Sequence, residues 1–510
     1  MVLRQLLLFL LLGKLSTGHE YYSSTEEMED LMIVDQTLML NFARYIREEI
    51  KHIHELNRVL KVLRGLSVDQ PSDLSNPITA YQLVNRIKWK FNDIVRYTQQ
   101  RPSDDFLEAL SSTLEDLPEQ KEVDGVALGL IRLQEIYRLE PQSIMGHGLA
   151  GTKQASRLDP DECFHVAKVA YKNQKFQLAC LWLQESYQLL KKGNAAWVSI
   201  SDVKLLFASS AFSLGDFDTA IDLTEQVVDE DPANEEARLQ LLKYRLHRVT
   251  QPIFTQPTID LFTIPEPSNM SYVALCRSQR SRMTPHRQRA LFCRYSTAGG
   301  NPRLMYAPVK EEDEWDHPRI VRYHDFLSEQ EMDMIKMMAR PELSRSEVVN
   351  LEETAYVTEN RVSKSAVLYD VIDPSASRIS HRIADITSLD MGTAENLQVL
   401  NYGVGGHFGP HYDAGEGIRD ERGDRIATVL IYLSDVEVGG ATVFPEVGAA
   451  LQPIKGSAVM WFNLLQNGEV DDLSLHSGCP VFKGNKWVAN KWVRERGQEF
   501  RRRCSLNPWE

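Results

Sequence analysis

From Leu397 to Val493 the chain is written in short apolar segments divided by glycine, and that pattern leaves few folds open. Leu397-Gln398-Val399-Leu400-Asn401-Tyr402 alternates as a strand does, and Gly403, Gly405 and Gly406 end it. Ile426 to Leu433 (IATVLIYL) is a continuous run rich in β-branched residues, suited to a strand buried on both faces. Gly439-Gly440 makes a turn before a short strand from Ala441 to Phe444. Gly456 to Leu464 (GSAVMWFNL) and Trp487 to Val493 (WVANKWV) complete the series. Short strands separated by glycine turns predict a β-sandwich or barrel whose mouth is a natural ligand site. A jelly roll would bring the two ends of this segment together.

Chemistry-bearing residues sit at those two ends. His411-Tyr412-Asp413 follows the first glycine turn, His476 lies 63 positions beyond the aspartate, and Lys486 ten further on. In a chain with 13 histidines, about one His-x-Asp tripeptide arises by chance, so the spacing alone carries little. Two imidazoles and one carboxylate nevertheless form the facial ligand set of non-haem Fe(II) oxygenases, which leaves coordination positions open for a co-substrate and O₂. A lysine near the second histidine, on a flexible stem, suits the distal carboxylate of 2-oxoglutarate. Lys483 and Lys491 compete for that role.

The segments NYGVGGHFGPHYD, DRIATVLIYLSDVEVGGATVFPEVG and GNKWVANKWVRERGQEFRRRC resemble the catalytic domain of collagen prolyl 4-hydroxylase alpha subunits. The resemblance continues upstream through KEEDEWDHPRIVRYHDFLS and RVSKSAVL and, more weakly, to the N-terminus. It implies His411, Asp413 and His476 as iron ligands and Lys486 as the 2-oxoglutarate anchor. It also sets Arg361, Arg425 and Trp492 at the rim that meets the peptide. Ascorbate is the implied reductant for iron oxidised in uncoupled turnovers.

Met1 to Gly18 has the form of a secretory signal: Arg4 is basic, Leu6 to Leu12 is apolar, and Ser16 and Gly18 are small. Seven apolar residues are too few to span a bilayer, which takes roughly 20, so the mature chain is expected to be lumenal or secreted with no membrane span, and the resemblance implies the endoplasmic reticulum lumen. A net charge of −14 argues against nucleic acid as a partner. Asn269-Met270-Ser271 is a glycosylation sequon, with Asn269 the acceptor. Six cysteines fit an oxidising compartment. Sequence leaves their connectivity open, while the resemblance implies the pairs Cys276–Cys293 and Cys479–Cys504. Cys163 and Cys180 lie in helical patterns and are expected as buried thiols.

Ahead of the catalytic region the pattern is helical. From about Thr25 to Leu66 apolar residues recur in steps of three and four, Ile46, Ile50, Ile53 and Leu60 among them, predicting one long amphipathic helix. A second helical block is expected from Pro77 to about Tyr97. Between Asp161 and Arg248 a motif repeats at an offset of 41: Ala170-Tyr171, Phe176 and Ala179 recur as Ala211-Phe212, Phe217 and Ala220. That is a tetratricopeptide-like helical hairpin with a longer connection than usual. The resemblance implies that this module grips proline-rich peptide through tyrosines. Tyr171 and Tyr244 are present, whereas Leu206, Ser209 and Phe212 stand at matching positions. Leucine and serine cannot both stack on proline and donate a hydrogen bond. A further departure is the short, glycine-rich loop Ala414 to Asp424.

The expected architecture is therefore an α+β multidomain chain. It comprises a signal peptide (1–18), a helical coiled-coil dimerisation region (19–150), and a tetratricopeptide-like peptide-binding domain (155–250). A linker with a disulfide (251–310) then leads to a catalytic domain (311–510) with a double-stranded β-helix, or jelly-roll, core over 394–496. The expected function is 4-hydroxylation of peptidyl proline with Fe(II), 2-oxoglutarate and O₂. The expected setting is an α₂β₂ tetramer with protein disulfide isomerase as beta subunit, which would supply the lumenal retention absent from the C-terminus. Two alternatives stand beside it: a hydroxylase of a non-collagen secreted protein, and a non-catalytic helical-repeat binding protein.

Overall fold

The structure, a computed structural model, describes residues 21–65, 118–146, 158–250, 260–279, 283–349, 355–415 and 418–505, with scattered positions between 66 and 117. The signal-like segment and most of the block from Pro77 to Tyr97 lie outside the described residues. Two compact units emerge: one contains residues 27–119, and the other joins Glu20–Glu26 to Gln120–Glu510. In the first, helix α1 (Thr25–Gly65) is as long as its periodicity predicts. Tyr45 and Phe106 stack at 5.1 Å, while Ile46, Ile50, Ile53 and Leu60 of its apolar stripe stay exposed.

The second unit begins with α2 (Gln120–Tyr137) and five helices that carry the repeat: α3 (Pro160–Lys172), α4 (Phe176–Lys191), α5 (Ile200–Leu214), α6 (Phe217–Glu230) and α7 (Glu235–Thr250). Their ends are set by local chemistry. Asp159 with Glu162, and Ser199 with Asp202, form capping boxes that satisfy free N–H groups at the starts of α3 and α5. Gly215 ends α5 at a φ of 90° that a side chain would resist. The repeat is exact enough to be read in ring geometry. Tyr171 meets Phe176 edge-on at 5.4 Å and 62°, and Phe212 meets Phe217 at 5.4 Å and 61°. Ala170, Ala179, Ala211 and Ala220 are all fully buried, since only a methyl fits where paired helices touch. Cys163 and Cys180 are buried thiols that burial pushes up to about 12.

The remainder is a two-sheet jelly roll with flanking helices. After α8 (Met270–Cys276), strands β1 (Cys293–Ser296), β2 (Val309–Trp315) and β3 (Ile320–His324) precede α9 (Glu329–Ala339). Then come β4 (Ser344–Arg345), β5 (Lys364–Leu368), α10 (Pro374–Thr387), β6 (Leu397–Tyr402), β7 (Phe408–His411) and β8 (Arg425–Tyr432). The series ends with β9 (Thr442–Phe444), β10 (Ala449–Leu451), β11 (Ala458–Phe462), β12 (His476–Gly478) and β13 (Lys486–Arg494). An antiparallel sheet of nine runs β1-β2-β3-β11-β8-β13-β6-β5-β4, and a sheet of four runs β10-β9-β12-β7. Residues 427, 429 and 431 of β8 join Trp487, Ala489 and Val493 of β13 in packing against α9 and α10. Leu430, Tyr432 and Val488 point the other way, into a core shared with Phe444 and Leu451 of the small sheet. Strand periodicity of two makes this partition.

Two expectations fail here. The stretch 251–310 is not only a linker, because β1 within it pairs with β2 from Cys293↔Glu312 to Ser296↔Val309 and forms an edge of the large sheet. The disulfide is Cys276–Cys479, not Cys276–Cys293 with Cys479–Cys504; Cys293 and Cys504 are exposed free thiols. The cause is packing. Tyr272, Val273 and Leu275 of α8 bury against Ala441, Val443 and Ala450 of the small sheet, which sets Cys276 beside Cys479 with Cα atoms 5.6 Å apart. Cys293 instead belongs to the large sheet. Exposed Asn269 caps α8, its side chain accepting from the Tyr272 N–H at 3.1 Å.

Candidate metal centre

Strands β7 and β12 are antiparallel neighbours, and their register sets His411 directly opposite His476. Asp413 lies just past the end of β7. The sequence gap thus closes into one cluster, with the ligand atoms of His411, Asp413 and His476 all within 4.8 Å of one another. His411 Nε2 is 3.7 Å and His476 Nε2 3.5 Å from the Asp413 carboxylate. Each Nδ1 faces a backbone carbonyl, Gly409 O at 2.8 Å and Ser474 O at 3.0 Å. A carbonyl only accepts, so Nδ1 carries the proton and each Nε2 offers a lone pair to the same point. Burial, reinforced by neighbouring His476, pushes the His411 imidazole down to about 3. Burial opposes ionisation of Asp413, but His476 and His411 outweigh it and hold the carboxyl below its usual range. Two imidazoles and a carboxylate converging on one point are a donor set suited to a divalent transition-metal ion.

The supporting shell was not read from the sequence. Thr428 Oγ1 donates to Asp413 Oδ2 at 2.7 Å, and Asn463 Nδ2 donates to Thr428 Oγ1 at 2.9 Å. Phe408 stacks on His411 at 3.6 Å and Trp461 meets His476 edge-on at 4.7 Å. One signal was available: Thr428 is the single hydroxyl residue between Ile426 and Ile431 in an otherwise apolar strand.

Alternation along β13 separates Lys486 from Lys491. Lys486 shares its face with Val488 and Asn490, and all three line an open cleft with the metal cluster, Tyr402, Thr442 and Ser477. Lys491 has the opposite parity and ion-pairs with Asp370 at 2.6 Å. Lys483 pairs with Glu437 at 2.9 Å. Lys486 is 2% exposed, lies over the Tyr402 ring at 4.8 Å, and has no carboxylate partner among the described residues. Burial alone pushes its ammonium down to about 7. An unpaired buried ammonium in a cleft fits an incoming carboxylate.

Arg361, Arg425 and Trp492 surround this cleft without lining it. Arg361 is buried over the Phe408 ring at 4.7 Å, donating to Glu347 O and to Gln398 Oε1. Arg425 grips Glu395 through two hydrogen bonds, of 2.6 and 2.9 Å, and stacks on Trp492 at 3.8 Å. The buried Trp492 indole N–H finds no acceptor among the described residues. In the helical repeat, Phe212 stacks on Tyr244 at 4.5 Å, whose hydroxyl bonds Ser209 at 3.1 Å; Tyr171 packs at the equivalent hairpin.

Three family comparisons match in chain order. The prolyl 4-hydroxylase alpha-subunit N-terminal region matches residues 24–151, the prolyl 4-hydroxylase peptide-substrate-binding domain residues 160–247, and the 2OG-Fe(II) oxygenase superfamily residues 397–494. Among curated relatives, prolyl 4-hydroxylase subunit alpha-1 of Rattus norvegicus is 37% identical, covering 99% of both chains. Subunit alpha-2 of Gallus gallus is 36% identical over 95% of each. Subunit alpha-3 of Mus musculus is 33% identical over 97% of this chain and 96% of its own.

Proposed function

This chain belongs to the prolyl 4-hydroxylase alpha-subunit family, and from that premise we propose that His411, Asp413 and His476 hold Fe(II) while Lys486 anchors 2-oxoglutarate. The activity is proline 4-dioxygenation with Fe(II), 2-oxoglutarate and ascorbate. The observation that supports the site assignment is the facial cluster sharing one cleft with a buried lysine that lacks a carboxylate partner. Once held, Fe(II) supplies the O₂ chemistry that couples conversion of 2-oxoglutarate to succinate and CO₂ with oxygen insertion at proline C4.

The protein's own groups do the positioning. Gly409 O and Ser474 O fix the tautomers of both histidines, and Thr428 holds one oxygen of Asp413. Lys486, as an ammonium, neutralises the distal carboxylate of the co-substrate, and the walls contributed by Phe408, Leu430, Trp461 and Val488 limit water. Arg425 and Trp492 form one stacked unit beside the cleft. The repeat around Tyr171, Phe212 and Tyr244 grips proline-rich substrate.

Collagen-like peptide in the endoplasmic reticulum lumen is the substrate proposed. The exposed stripe of α1 serves self-association, protein disulfide isomerase is the beta subunit of an α₂β₂ tetramer, and Asn269 carries a glycan. A second reading, a non-collagen secreted substrate, draws on Leu206 and Ser209, which replace stacking groups in the repeat. The test is 2-oxoglutarate decarboxylation by the chain co-expressed with the isomerase, with and without proline-rich peptide. Peptide-stimulated succinate that His411→Ala abolishes supports the proposal. Iron-dependent turnover indifferent to that peptide moves the reading to another substrate.

A further inference from the structure

The cleft is not made by the C-terminal residues alone. Residues 21–26, at the other end of the sequence, lie against the strand pair that carries Lys486. Ser23 O accepts from the Gly403 N–H at 3.0 Å. Gly403 has to be glycine here, because a Cβ would meet Tyr22 O at 2.0 Å. Thr25 Oγ1 donates to Tyr402 O at 2.5 Å and approaches Asn485 Oδ1 at 3.2 Å. Tyr402 is the ring beneath the Lys486 ammonium.

Asn401 joins these pieces. It is fully buried on β6, where its backbone pairs with Trp487 and its neighbour Tyr402 pairs with Lys486. Its Oδ1 accepts from Ser24 Oγ at 2.7 Å and from the Glu26 N–H at 3.2 Å. Its Nδ2 donates to Asn485 Oδ1 at 2.7 Å and to Lys486 O at 3.3 Å. A backbone N–H can only donate and a carbonyl can only accept, so the amide has one permitted orientation, with both lone pairs and both hydrogens used. A fully satisfied buried polar network holds its members in a single arrangement.

We propose that Asn401 is a positioning residue for the co-substrate lysine, linking Ser24 and Glu26 to the Asn485–Lys486 backbone, so that affinity for 2-oxoglutarate depends on residues 377 positions upstream. The inference rests on the reading of Lys486 as the 2-oxoglutarate anchor. Losing the network lets the first residues of β13 shift and lengthens the reach of the ammonium. The metal cluster, on β7 and β12, is held separately.

The experiment uses the full chain with its isomerase partner. Binding of labelled 2-oxoglutarate is measured by equilibrium dialysis under nitrogen with Fe(II), alongside Fe(II) affinity and melting temperature. Variants are Asn401→Asp, which keeps the acceptor and loses both donors, Asn485→Ala, Ser24→Ala and Lys486→Ala. The expected result is a rise of about ten-fold in the 2-oxoglutarate dissociation constant for Asn401→Asp and Asn485→Ala, in line with other outer-shell partners. A smaller rise is expected for Ser24→Ala. The KM for 2-oxoglutarate should rise with kcat, peptide KM and Fe(II) affinity unchanged. Co-substrate binding that survives all three network substitutions but fails in Lys486→Ala overturns the proposal alone. Binding that also survives Lys486→Ala overturns the reading beneath it. If Asn401→Asp does not fold, Ser24→Ala and Asn485→Ala decide the outcome.

Discussion

At the scale of single residues, the hydroxyl of Thr428 is the smallest group with a large expected effect. Thr428→Val keeps the shape of the side chain, removes the donor to Asp413 Oδ2 and takes away one of the two acceptors of Asn463 Nδ2, the other being Arg425 O. Fe(II) affinity should fall about 10- to 100-fold, as read by anaerobic competition with a chelator. Lys486 predicts a proton balance. Burial disfavours the charge and pushes its ammonium down to about 7 from the ordinary 10.5. At about pH 8 the free site is mostly neutral, yet holding a carboxylate requires the ammonium, so binding 2-oxoglutarate should take up close to one proton, and almost none at about pH 6. Calorimetry in buffers of different ionisation enthalpy measures this directly. The sign for folding follows: between about 7 and 10.5 the unfolded chain holds more protons, so the ligand-free protein gains stability as pH rises through that window.

At the scale of elements, the cysteine bridge and the repeat make separate predictions. Non-reducing peptide mapping should recover Cys276 joined to Cys479, with Cys293 and Cys504 open to alkylation; recovery of Cys276 with Cys293 would refute the packing account of α8. The bridge closes 203 residues, and in the chain-entropy model Cys276→Ser costs about 5 kcal/mol. In the repeat, Phe212 supplies an aromatic face where serine and leucine supply none. Phe212→Ala should weaken proline-rich peptide about ten-fold, and Ser209→Tyr should strengthen it, each by fluorescence titration. The repeat was readable because alanine and aromatic positions recur at a fixed offset. The strands from β6 to β13 were readable because glycine punctuates them. Strands β1 to β5 were not foreseen: EEDE within β2 shows no apolar alternation, because Glu311 and Asp313 pair with Arg294 and Arg319. The choice between Lys486 and Lys491 needed only the parity of β13, which follows once the strand start is known, while Lys483 is set aside by its ion pair with Glu437.

At the scale of the whole molecule, sequence proximity is a poor guide to what shares a fold. The three ligands and the lysine were readable because their residue types in that order are chemically specific. Asn401 and Ser24 were not, since buried asparagine and serine carry no such signature and their partners lie hundreds of positions away. A fragment beginning at residue 311 therefore lacks both β1 and residues 21–26. It should melt lower and retain less 2-oxoglutarate than the intact chain, as thermal denaturation and dialysis would show. The same feature bears on time. Thr25 is among the earlier residues to leave the ribosome, and Asn485 follows 460 residues later. At roughly 5–20 residues per second, the earliest part of the co-substrate seat waits on the order of a minute for its last. Nascent chains stalled short of residue 485 should carry finished helical repeats yet ignore 2-oxoglutarate, so this enzyme can seat its co-substrate only after a segment made long before has met residues 485 and 486.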